Sequence, residues 1–70
     1  MIGSATGVVA SFDDPRGLGT VRADDGTEYP FHCTAIADGT RTIDEGVAVD
    51  FEIVAGRLGR WEAAGIRPRG

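Results

Sequence analysis

The adjacent residues His32 and Cys33 are the residue types that nucleophilic catalysis uses, an imidazole base and a thiol. Successive side chains of a β-strand point to opposite faces, so we expect these two groups to lie too far apart for a hydrogen bond. No third residue stands out that would orient the imidazole, and the acidic pairs in the chain lack the spacing of a calcium loop. The sequence therefore predicts no enzyme, no metal, no cofactor and no small-molecule substrate.

A second kind of chemistry, binding of a planar or anionic ligand, needs flat rings and cations. Phe12 and His32 carry flat rings, and Arg16 carries a positive charge. Core packing of Phe12 and simple solvent exposure of His32 are the alternatives. The Gly-Leu-Gly of residues 17–19 resembles a phosphate loop, but Arg22 stands where the longer dinucleotide pattern needs glycine. We therefore interpret residues 17–19 as a structural turn.

Short strands must position these residues, because eleven glycines interrupt the chain and no long stretch has helical periodicity. Asp25-Gly26 between two β-like runs predicts a hairpin, and Pro30 predicts an edge or non-bonded position in the strand that follows. We expect residues 34–46 to form the long connection, with a helical turn at 34–36. The predicted strands are residues 6–12, 19–23, 28–32, 47–53 and about 61–67. Their order predicts an all-β fold, a small closed antiparallel barrel.

Length and charge set further bounds. Seventy residues predict a single domain over 1–70, with residues 1–5 and 68–70 flexible. The absence of an apolar run or leader, and the lone Cys33, predict a cytoplasmic location. The net charge of −4 and the lack of lysine argue against a general-purpose nucleic-acid binder. Residues 57–70, however, hold four arginines against one acid, so any attraction for an anion is expected to be local.

With the elements in place, the chain resembles the cold-shock domain family over nearly its whole length. Residues 16–21 read Arg-Gly-Leu-Gly-Thr-Val where the family's first RNP motif reads Lys-Gly-Phe-Gly-Phe-Ile. Residues 31–36 read Phe-His-Cys-Thr-Ala-Ile where the second motif reads Val-His-Phe-Ser-Ala-Ile. Residues 6–12 also resemble the first strand of the family, and residues 44–53 resemble a later turn and the strand that follows it. The resemblance implies a five-stranded antiparallel OB-type β-barrel that binds single-stranded RNA or DNA.

The departures from the family pattern concern the aromatic side chains on which bases stack. Small, aliphatic or polar residues stand at six of these positions: Ser11, Leu18, Thr20, Pro30, Cys33 and Thr40. A neighbouring lysine of the family is replaced by Ala10. Because each stacked base is worth roughly 1–3 kcal/mol, the losses predict weakened affinity for nucleic acid.

The resemblance implies a set of nucleic-acid-binding residues in this chain: Phe12, Arg16, Leu18, Thr20, His32 and Arg41. Trp61, with Arg57 and Arg60, forms a second candidate surface, which is a displaced stacking platform, a contact for a protein partner, or a lid over one end of the barrel. The alternative function is therefore a protein-interaction or self-association module that has lost nucleic-acid binding. The sequence leaves RNA or DNA preference and base preference open.

Overall fold

The computed structural model describes residues 3–37, 39, 42–56 and 59–69. Within them the chain forms five strands and one short helix of the 3-10 type, which spans Cys33–Ala35. The strands are β1 (Gly3–Asp13), β2 (Leu18–Ala23), β3 (Glu28–His32), β4 (Ala48–Ala55) and β5 (Trp61–Pro68). In the described part of the chain, no helix has the length and apolar character needed to span a membrane.

All five strands belong to one antiparallel sheet with the spatial order β3-β2-β1-β4-β5. The predicted hairpin joins β2 to β3: Gly26 adopts a positive φ of 90°, and the Thr27 N–H donates to the Asp25 carboxylate at 2.9 Å. This side-chain bond fixes the turn and lowers the pKa of Asp25, because both the Thr27 N–H and its hydroxyl favour the charged carboxylate.

The sheet curls so that its two outer strands, β3 and β5, approach each other. Among the described residues, the ladder is not closed by hydrogen bonds between these strands, and the bridge Ile36↔Ile66 lies beside the opening. The all-β, OB-type architecture predicted from the sequence is confirmed, although the barrel is curled rather than fully hydrogen-bonded. We call the opening between β3 and β5 the seam.

The core consists of side chains from every strand that face the inside of the curl. Phe51, Ile66, Val21 and Val49 are the innermost, and Phe31 is 3% exposed. The alternation predicted for the fourth strand holds, since Val49 and Phe51 are buried while Asp50 and Glu52 are not. Apolar burial of this kind supplies most of the stability of so small a domain.

Several boundaries differ from the predicted ones. β1 begins at Gly3 instead of residue 6, β4 extends to Ala55, and the helical turn covers Cys33–Ala35 instead of 34–36. The flexibility expected for the chain ends stays a prediction, although β1 and β5 take in residues 3–5 and 68. One irregularity matters for the site: the β1–β2 register shifts between Val9 and Ser11, so Ala10 is the extra residue of a β-bulge.

Candidate nucleic-acid interface

The outward-facing side of β1, β2 and β3 brings together Leu18, Thr20 and His32, which belong to the two RNP-like segments, with Ser11 and Pro30 beside them. Leu18 and His32 are direct register partners, and so are Thr20 and Pro30. Directly opposed residues of an antiparallel pair share a face, and their Cβ atoms lie about 4.5–5.5 Å apart. Ser11 pairs with Thr20 and completes the set. We call these five residues the outer face: Ser11, Leu18, Thr20, Pro30 and His32.

Leu18 is one of the two large apolar side chains that are exposed among the described residues, at 46%. It lines a groove of about 470 Å³, the platform groove, together with Pro30, Phe31, His32 and Glu62. A stacked base needs an open apolar surface with a ring or aliphatic group beneath it, and Leu18 with His32 provides that. The groove also crosses the seam, because Glu62 belongs to β5. The sequence had not singled out this carboxylate.

The His32 ring is held by the backbone that follows it. The Thr34 N–H donates to His32 Nδ1 at 3.3 Å, and the Thr34 hydroxyl lies 3.1 Å from the same nitrogen. A nitrogen that accepts an N–H carries no proton of its own, so the imidazole proton of the neutral ring resides on Nε2. The ring is therefore oriented while the residue stays exposed, as a stacking role requires.

The separation predicted for His32 and Cys33 is wrong. β3 ends at His32 and Cys33 opens the 3-10 helix, so the strand rule does not apply across this pair, and Cys33 Sγ lies 3.8 Å from His32 Nδ1. That nitrogen is already engaged by Thr34. The thiol itself is buried, and its Sγ would lie 2.9 Å from a Cβ placed on Gly17. Gly17 also has a φ of 66°, so a residue with a side chain is strained at this turn.

Phe12 lies on the opposite side of the sheet from the outer face. It pairs with Gly19, and its ring stacks on Phe31 with centroids 5.9 Å apart and planes 10° from parallel. Without the bulge at Ala10, simple alternation would turn Phe12 away from the face of Val9; with the bulge, the two share the inner face. The grouping of Phe12 with Leu18 and His32 is thus corrected. Phe12 is partly buried against the core, the packing alternative considered above.

The cations near the outer face are matched by acids. Arg16 lies 3.7 Å from the carboxylate of Asp13, and Arg22 lies 3.3 Å from that of Glu28. Both pairs are exposed, so each contributes little to stability and can exchange its partner for a phosphate. The predicted contributors Arg41 and Arg57, and the replaced aromatic position Thr40, lie outside the described residues.

Trp61 and Arg60 stand at the beginning of β5, on the seam. Trp61 is 46% exposed, and both residues line a second groove of about 310 Å³, here the seam groove. Its other walls come from the β2–β3 hairpin and β3: Thr27, Glu28, Tyr29 and Pro30, with Gly59 from the loop before β5. Pro30 lines both grooves. The lid interpretation of Trp61 fits its position at the sheet opening, but nearly half of its surface remains accessible.

Comparisons with known proteins agree with this architecture. The sequence-family model of the 'Cold-shock' DNA-binding domain matches residues 5–68 of this chain. The chain is 40% identical over 55 residues to the cold shock-like protein CspLB of Listeria monocytogenes, covering 77% of this chain and 83% of that protein. It is 46% identical over 57 residues to the cold shock-like protein CspA of Stigmatella aurantiaca, covering 79% and 84%.

A solved structure supports the same conclusion. The Drosophila Unr CSD456 structure superposes on the chain with a TM-score of 0.78 and 26% identity, over 96% of this chain and 27% of that one. Three observations lead to one assignment: the five-stranded sheet, the pairing of Leu18 and His32 from the two RNP-like segments, and the family match over residues 5–68. The chain belongs to the cold-shock domain family of nucleic-acid-binding proteins.

Proposed function

We propose that this protein binds single-stranded RNA or DNA through its outer face, more weakly than relatives that keep a full set of aromatic side chains there. The observation that carries the proposal is the pairing of Leu18 with His32 on an exposed, groove-lined surface. A base stacked on this pair keeps apolar contact on one side and a polarisable ring on the other. No chemical reaction is involved, and the protein acts by holding unpaired strands.

Weak binding follows from the composition of the outer face. Thr20, Pro30 and Ser11 offer small contact areas to a base, and a missing stack costs roughly 1–3 kcal/mol. The charges do not compensate, because Arg16 and Arg22 face carboxylates and Glu62 adds a negative charge in the platform groove. Non-specific affinity depends on cations that replace the counterions of phosphates, and four of the five arginines that the structure describes already face a carboxylate.

The direct test is a fluorescence-anisotropy titration of labelled oligo(dT) and oligo(U) at low salt. We expect saturable binding that weakens in Leu18→Ala and in Arg16→Ala, since the first removes the apolar contact and the second a phosphate contact. Phe12→Ala is a poor probe because Phe12 packs on Phe31 and its loss disturbs the core. Ala48→Ser, at an exposed position of β4, serves as the control. If neither strand binds above background at micromolar protein, the proposal fails.

The second candidate function is protein interaction or self-association. The observation in its favour is that the two exposed large apolar side chains among the described residues, Leu18 and Trp61, both lie beside grooves of an acidic protein. Sedimentation over a concentration series tests self-association, and a strict monomer counts against it. The cytoplasmic location expected from the sequence stays a prediction.

A further inference from the structure

We propose that the seam groove holds an unpaired nucleotide, its base stacked on Trp61 and its phosphate facing Arg60. The inference rests on the proposed function and extends the binding path from the outer face across β3 to the beginning of β5. It assigns a ligand to residues that lie outside both RNP-like segments.

The indole of Trp61 has the exposure and the surroundings that a base platform needs. Trp61 is 46% exposed, because its partner across the β4–β5 ladder is the small Ala55 and the seam leaves room on its other side. It lines an open groove of about 310 Å³ next to Pro30 and Tyr29. A large aromatic surface left open beside flat or rigid apolar residues is suited to a planar ligand.

Arg60 differs from the other described arginines in its electrostatics. Arg16, Arg22, Arg67 and Arg69 each lie within 4.0 Å of a carboxylate oxygen, at 3.7, 3.3, 3.0 and 3.4 Å respectively. Within the described part of the chain, Arg60 forms no such ion pair, and it is exposed. An unpaired guanidinium beside an open indole is the combination that recognises a stacked base and its phosphate.

Continuity with the outer face favours a nucleic-acid strand over a peptide as the occupant. Pro30 forms a wall of both grooves, so a strand on Leu18 and His32 that continues past Pro30 reaches Trp61. Arg60, which directly precedes β5 and lines the seam groove, supplies positive charge at the end of this path. A nucleic-acid strand carries one phosphate per base, so a single nucleotide can stack on Trp61 and face Arg60 at the same time.

Trp61 is the one tryptophan in the chain, so its emission reports on this groove alone. We expect oligo(dT) and oligo(U) of about eight nucleotides to quench the emission with the same midpoint that anisotropy gives, within the range of about 4–16 nucleotides that such folds cover. Trp61→Ala is expected to weaken binding by about 5- to 150-fold, the equivalent of one lost stack. Trp61→Phe keeps a ring, so its affinity for the strand is expected to be close to that of the unmodified protein. This variant also tests the site if Trp61→Ala is too unstable to measure.

The charge is tested separately with a matched pair of variants. Arg60→Ala is expected to reduce the slope of log K against log salt by about 0.7, the value of one phosphate contact on a single strand. Arg69→Ala removes an exposed arginine that pairs with Asp50 at the other end of β5, and should leave the slope unchanged.

The outcomes separate this inference from the proposed function. If anisotropy shows binding while Trp61 emission is constant and Trp61→Ala binds like the unmodified protein, the seam site is refuted and the outer-face proposal stands. If no strand binds at all, both fail. If the emission instead changes with protein concentration in the absence of nucleic acid, the groove is a self-association surface and the inference is overturned.

Discussion

Replacing Leu18 by phenylalanine should convert a weak platform into a stronger one. Leu18 is 46% exposed and directly opposite His32, so a ring at this position stands beside the imidazole without entering the core. One added stack is worth roughly 1–3 kcal/mol, which corresponds to about 5- to 150-fold tighter binding of a single strand. Because the site is exposed, the free energy of unfolding should change by less than about 0.5 kcal/mol.

The assay is anisotropy with labelled oligo(dT) and oligo(U) at fixed low salt, with thermal unfolding measured in parallel. Ala48→Phe adds the same ring on an exposed position of β4, away from the platform groove, and is expected to leave affinity unchanged. An equal gain in strand affinity in both variants would show that an exposed ring attracts nucleic acid non-specifically, wherever it stands. A Leu18→Phe protein with unchanged stability and unchanged or weaker affinity would refute the assignment of the outer face as the binding surface.

Three further predictions concern the fold and the charges. Gly19→Ala would place a Cβ 2.6 Å from the Phe31 ring and 2.7 Å from a β1 carbonyl oxygen, so we expect a loss of about 1–3 kcal/mol in urea unfolding; an unchanged midpoint would contradict this packing. Glu62→Gln removes a negative charge from the platform groove and should tighten strand binding about 1.5- to 5-fold at low salt, whereas weaker binding would show that the carboxylate accepts from a base. The carboxyl carbon of Asp25 should titrate by NMR below the ordinary value of 3.8, because Thr27 stabilises the anion. Its contribution to stability is thus present above that value and disappears as the pH falls through the lowered pKa; a midpoint at or above 3.8 would rule out the turn bond.

Local patterns in the sequence were sufficient for the architecture. The Asp25-Gly26 turn, the alternation around Phe51 and the glycines between short apolar runs predicted the strands and the β2–β3 hairpin, because each of these features depends on neighbours in the chain. The ends of the strands were less predictable. β1 gains residues 3–5 because it pairs there with β4, which is distant in the sequence. The gap in the ladder at the seam also depends on how far the whole sheet curls, which no local pattern encodes.

The site was only partly predictable for a similar reason. Leu18 and His32 came together as the motif spacing indicates, but Phe12 did not join them, because the bulge at Ala10 reverses the facing of the residues after it. Nothing in the composition of residues 8–12 marks that bulge. Glu62 was missed because it reaches the platform groove across the seam, and that proximity exists only once β5 lies beside β3.

The most direct test of the central claim is an NMR chemical-shift titration of the labelled protein with short single-stranded DNA and RNA. Binding at the outer face predicts the largest shifts at Leu18, Thr20 and His32, and small ones on the far side of the barrel, at Asp50 of β4 and at Arg69 next to the end of β5. Absence of shifts with both strands, or shifts confined to the far side, would contradict the account.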